Sequence, residues 1–76
     1  EIDFCVPSAQ LAIQVSYNLN DEATYEREVG GLIKFLKAFP GYHGYIITRD
    51  YETQIETYGY KIEVIPIWKW LLKKVM

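Results

Sequence analysis

Asp3, Gln14 and Ser16 are the residues whose types and spacing come nearest to chemistry in this 76-residue chain. Asp3 sits in the run Glu1-Ile2-Asp3-Phe4-Cys5-Val6, and Gln14 and Ser16 sit in a second run, Leu11-Ala12-Ile13-Gln14-Val15-Ser16-Tyr17. Residues two apart on a strand point to one side of a sheet, so an acid on one strand and this pair on its neighbour can converge. Such convergence suits a divalent cation held by hard oxygen ligands, with one group to orient water and a cation to offset charge on a phosphate. That is the outline of a phosphodiester-cleaving site. The residue types fall short of it. Glutamine offers a carbonyl oxygen without charge, and serine offers neither a cation nor useful basicity at neutral pH. Glu1 could add a carboxylate on Asp3's side if the strand runs regularly through residue 1. Asp3 is therefore the one metal ligand to be expected, if there is any, and no residue is expected to be catalytic. The plainer account makes all three polar positions on the less buried face of a hairpin, bonded to one another or to a helix outside this stretch.

The elements that must position them follow from periodicity. Ile2, Phe4 and Val6 alternate with Asp3 and Cys5, which predicts a strand, and Pro7-Ser8 turns the chain. Leu11, Ile13, Val15 and Tyr17 alternate over residues 10 to 17, so the two runs form an antiparallel hairpin with those four on its apolar side. Asn20-Asp21-Glu22 begins a helix, with a capping side chain and early acid. Tyr25, Val29, Leu32, Ile33 and Leu36 then form an apolar stripe to about residue 39, where Pro40-Gly41 stops it. Gly30-Gly31 costs that helix about 1 kcal/mol per glycine relative to alanine, which close approach to a sheet would offset.

Tyr45-Ile46-Ile47-Thr48 reads as an interior strand, parallel to residues 11–17 through a right-handed crossover. Residues 54–58 and 61–65 flank Gly59 as a second hairpin. Pro66 opens a last helix carrying Ile67, Trp68, Leu71, Leu72 and Val75 on one face. The order ββαβββα predicts an α/β fold, with helices packed on a mixed sheet.

This whole pattern resembles the nuclease superfamily known by its PD-(D/E)xK motif. There an Asp comes from one strand, and an acid, one intervening residue and a lysine come from the next. Asp3 stands at the first acid's place, Gln14 at the second's and Ser16 at the lysine's. The chain is more similar still to the nuclease-like C-terminal domain, of unknown function, of a family of prokaryotic AAA-type ATPases. The segments EIDF, IQVSYNLNDEATYEREVGGLIKFLK, GYIITRD and KIEVIPIWKWLL carry that resemblance over nearly the whole length. It implies a restriction-endonuclease-like sheet, residues 1–76 as one domain cut from a larger ATPase, and a degenerate active site. It implies ATP and magnesium only in an upstream module, since no G-x-x-x-x-G-K-[ST] loop occurs here.

Bulk properties bound the rest. The chain is 50% hydrophobic and 16% aromatic, which fits one small globular domain rather than disorder. A formal charge of −2 disfavours a general grip on nucleic acid, although charge elsewhere in a longer protein could compensate. A single cysteine, Cys5, is read as a small core hydrophobe and fits a reducing, cytoplasmic setting. No run reaches the roughly 20 apolar residues of a membrane span.

His43 reads as a loop histidine, and Glu22, Glu26, Arg27 and Glu28 as a solvated helix face. Tyr42, Tyr51, Tyr58 and Tyr60 gather at turns. Tyr58, Tyr60 and Trp70 are the candidate partner contacts, with Trp68 packed on the sheet. The expected role is docking, onto the protein's own ATPase module or a protein partner, with nucleic-acid binding as a variant and no membrane. The alternatives are a magnesium-dependent nuclease with a degenerate site and an oligomerisation module. A first strand with no neighbour leaves an open edge through which self-association is expected.

Overall fold

The structure, a computed structural model, describes residues 2–75, with side chains as far as Leu72. Strands β1 (Phe4–Val6) and β2 (Leu11–Val15) precede helix α1 (Glu22–Ala38). Strands β3 (His43–Thr48), β4 (Thr53–Thr57) and β5 (Tyr60–Pro66) follow, then helix α2 (Ile67–Val75). The fold is α/β, and the order ββαβββα is the one periodicity predicts. The five strands form one mixed sheet in the order β1-β2-β3-β5-β4, antiparallel at both edges and parallel at β2–β3 and β3–β5.

Local chemistry explains the ends of the elements. Asp21 caps α1 by accepting from the Thr24 N–H at 3.0 Å and from the Thr24 hydroxyl at 2.8 Å. Those two bonds hold the Asp21 carboxyl below the usual carboxylate range. The β4–β5 hairpin turns on Tyr58 and Gly59, both at positive φ (+53° and +79°), the signature of a two-residue I′ turn. Pro66 does not open α2. It ends β5, paired in register with Thr48, and the helix starts one residue later. At that junction the missing N–H costs no helix bond, because the N–H groups at a helix start have no intrahelical partner.

Each face of the sheet has its own core. On the α1 face, Ala12, Ile46, Ile62 and Val64 pack against Val29, Leu32, Ile33 and Leu36. On the other, Ile13, Ile47 and Ile65 pack with Val6, Leu11, Tyr45 and Trp70. Interior strands must be apolar on both faces, which is why alternation alone misassigned β2. Leu11, Ile13 and Val15 do share a side, but the side under α1 carries Ala12, Gln14 and Ser16, all three buried, whereas Val15 is 38% exposed.

Three further expectations are corrected. The close approach of helix to sheet is made by a strand glycine and not by Gly30. A β-carbon on Gly30 would meet nothing within 4 Å, whereas one on Gly44 would meet Leu36 Cδ1 at 3.1 Å and Leu32 Cδ2 at 3.2 Å. Cys5 is exposed rather than in the core, because it lies on edge strand β1 while α1 packs on β2 and β3. The roles of the tryptophans are reversed. Trp70 packs on Tyr45 with ring centroids 5.4 Å apart, while Trp68 is 56% exposed. A helix starting at Ile67 turns residues 67 and 70, not 68, toward the sheet.

Candidate functional site

Asp3 and Gln14 are brought together as the spacing predicts. Phe4 pairs with Ile13, so one step further along the hairpin Asp3 stands opposite Gln14. Their contact is reciprocal. The Asp3 backbone N–H donates to Gln14 Oε1 at 2.9 Å, and the Val15 N–H donates to Asp3 Oδ2 at 2.8 Å. The two side chains thus close the open end of the hairpin, each satisfying a backbone donor that β1 and β2 no longer pair.

Their surroundings differ from those expected. Gln14 is only 3% exposed and Ser16 is also buried, both on the helix-covered face rather than the less buried one. Ser16 is held by its own backbone N–H, which donates to the Ile47 carbonyl at 2.9 Å. It does not join Asp3 and Gln14 in lining the neighbouring cleft. Glu1 lies outside the described residues, and so do the side chains of Lys73, Lys74 and Val75.

A polar cleft of about 240 Å³ opens beside the pair, and its other walls are Arg27 and Glu28 of α1. Glu28 is not a solvated helix residue. Its side chain is 17% exposed and pairs with Arg27, Nε to Oε2, at 3.5 Å. The sequence signal for this was the helical stripe itself. Glu28 directly precedes Val29, so it borders the buried stripe at the turn where α1 passes β2.

The cleft therefore gathers two carboxylates, one amide and one guanidinium. A magnesium site asks for about six oxygens in near-octahedral array. Here Gln14 Oε1 and one Asp3 oxygen already accept backbone N–H groups, and the second carboxylate faces a guanidinium. Among the described residues no group of three or more His, Cys, Asp or Glu side chains is placed to hold a metal. Among the described residues, those at the cleft do not fit the ion that the resemblance implies.

The remaining candidates separate. Tyr58 is 79% exposed, with Lys37 Nζ 5.8 Å from its ring centroid, and with Lys34 and Lys37 it borders a shallow cleft of about 200 Å³. Tyr60 is half-buried against the α1-side core, and Trp70 is committed to the opposite face. Tyr42 is half-buried, and the Cys5 thiol beside its hydroxyl, with some desolvation, raises the phenol above its ordinary range. No described helix is long and apolar enough to cross a membrane. Comparison with known protein families, with curated proteins and with solved structures finds no match for this chain.

Proposed function

We propose that this chain is a non-catalytic docking domain, nuclease-like in architecture, from the C-terminal end of an AAA-type ATPase of the cytoplasm. The observation that carries the non-catalytic part is the reciprocal bonding of Asp3 and Gln14. Both polar groups at the metal-ligand positions are spent closing a hairpin, and the position where a lysine would offset phosphate charge holds a buried serine. Architecture supports the nuclease-like part. An antiparallel hairpin carries the acid and the paired positions, and a helix then leads to a strand parallel to the second. The docking partner is the ATPase module or another protein, since a surface of net charge −2 offers phosphates little. ATP and magnesium belong to the upstream module.

The test is plasmid nicking across a magnesium and manganese titration, together with DNA binding at several salt concentrations. The expected outcome is no cleavage and no salt-dependent binding. Nicking that disappears in Asp3→Ala would sink the reading, and binding that weakens steeply with salt would move the partner to nucleic acid. A second reading, a magnesium-dependent nuclease with Asp3 and Gln14 as ligands, draws support from one observation. Glu28 and Arg27 bring a second carboxylate and a cation to the same cleft. Under that reading Glu28→Ala abolishes nicking; under ours there is no nicking to abolish.

A further inference from the structure

The face of the sheet opposite α1 is divided in composition. Over β5 and β4 it carries Lys61, Glu63, Gln54 and Glu56, all exposed. Over β1 and β2 it carries Phe4, Val6, Ile13 and Val15, with no charge among them. Helix α2 packs on β5 and β3, so it reaches the apolar half only along its border, through Ile67 and Trp70. An apolar cleft of about 320 Å³ remains between helix and hairpin, floored by Ile13 and Val15 and walled by Phe4.

The two edges of the sheet differ in the same sense. The β4 edge is blunted as edges usually are, with Glu56 in the strand and Glu52 just before it, each bound to a lysine. The β1 edge, Phe4-Cys5-Val6, has neither charge nor proline within it; Asp3 just before it is turned inward onto the Val15 N–H, Pro7 just after it ends the strand, and Phe4 is 59% exposed. Uncharged edge and uncovered apolar face thus meet at one strand.

We propose that this strand and face dock a second copy of the chain, the two β1 strands pairing antiparallel about a two-fold axis through Cys5. A strand of three residues bounded by Pro7 has one such centred register. Phe4 of each copy then lies opposite Val6 of the other, and Cys5 lies opposite Cys5. A two-fold contact requires a patch complementary to itself. This one qualifies because nothing on it is charged, so no like charges meet, and a small net charge of −2 adds little repulsion.

Area makes the pairing weak. Of the residues lining the cleft, Phe4, Val15 and Ile67 are 59%, 38% and 42% exposed. Together they leave bare an apolar surface on the order of 200–300 Å² per copy, within what a monomer exposes. Backbone pairing adds to this but leaves it short of the roughly 800 Å² per partner of a stable complex. The pairing uses neither Asp3 nor Gln14, so it is independent of the reading of the polar cleft.

Sedimentation or light scattering of the 76-residue chain over a concentration series tests the proposal, with Phe4→Lys as the variant. The expected result is a monomer–dimer equilibrium in the micromolar range, weakened at least tenfold by Phe4→Lys. Because Phe4 is exposed, that variant keeps the wild-type circular dichroism. Diamide, taking two electrons and two protons from a pair of thiols, joins Cys5 to Cys5, since residues opposite each other in an antiparallel pair fall within disulfide range. A wild-type chain that stays monomeric at about 0.5 mM, well above any micromolar constant, overturns the proposal. So does a dimer that neither Phe4→Lys weakens nor diamide cross-links.

Discussion

Gln14 is the residue at which structure and chemistry compete most directly. It occupies a metal ligand's place, yet it is buried and its carbonyl oxygen is taken by the Asp3 N–H. Restoring an acid there separates the two roles. Gln14→Glu puts a carboxylate in a desolvated position beside Asp3 and Glu28, which raises its pKa above the unfolded value against the Asp3 N–H and the largely exposed, Glu28-paired Arg27, which lower it. A group whose folded pKa is raised favours the folded state below the unfolded pKa, and that benefit is lost as pH rises through the folded pKa. We therefore expect Gln14→Glu to cost about 1–3 kcal/mol near neutrality. Most of that returns in mildly acidic buffer, where the protonated acid is uncharged as the amide is. Denaturant melts of both proteins at pH 5 and pH 8 measure this. Equal loss at both values would show that the oxygen's charge is immaterial there. Magnesium that removed the loss at pH 8 would show the opposite of a spent site, a cation accepted as soon as a second acid is supplied.

At the scale of elements, two glycines, one on the open side of α1 and one on the strand beneath it, should respond with opposite sign. Gly30 lies mid-helix with open space around it, so Gly30→Ala should stabilise by about 0.5–1 kcal/mol through helix propensity. Gly44 lies on β3 beneath α1, where a β-carbon must displace Leu32 and Leu36 by a few tenths of an ångström. There alanine should cost about 1–3 kcal/mol. Thermal melts of the two variants suffice, and stabilisation by both would remove close packing of α1 as the reason for Gly44. The contrast also marks where sequence reading stops. The order ββαβββα was legible because α1 has a 3.6-residue stripe from Val29 to Leu36 and because turn signals fall at Pro7-Ser8, Pro40-Gly41 and Gly59. Which face of β2 is under the helix was not legible. Apolar alternation points to Ile13 and Val15, whereas tight packing selects the small Ala12, and Gln14 follows on that side. The meeting of Asp3 with Gln14 could be read from alternation. Arg27 and Glu28 could not, because which strand a helix lies over sets their place, and that depends on the sheet order.

For the whole molecule, stability should be distributed by depth in the sheet, and this gives the dimer a signature of its own. Ile46, Ile62 and Val64 are fully buried on β3 and β5, two of the three strands flanked on both sides by others. Helix α2 leaves Trp68, Leu71 and Leu72 half in solvent, and β1 is three residues long at an edge. Amide exchange should then be slowest in β3 and β5, close to the global unfolding limit, and fastest in β1 and α2, which open locally. In a lone monomer that ranking is independent of protein concentration. Where β1 pairs with its own copy, the outward N–H of Cys5 gains a partner, and opening of the whole strand is linked to dissociation by mass action. Exchange measured at about 10 μM and about 500 μM, values bracketing a micromolar equilibrium, should thus slow selectively at residues 4–6. The rates in β4, whose Glu56 keeps that edge in water, should stay as they were. Slowing at both edges alike would mean general association rather than a two-fold pairing. Slowing in α2 with none in β1 would leave the apolar face as the contact and remove the strand from it.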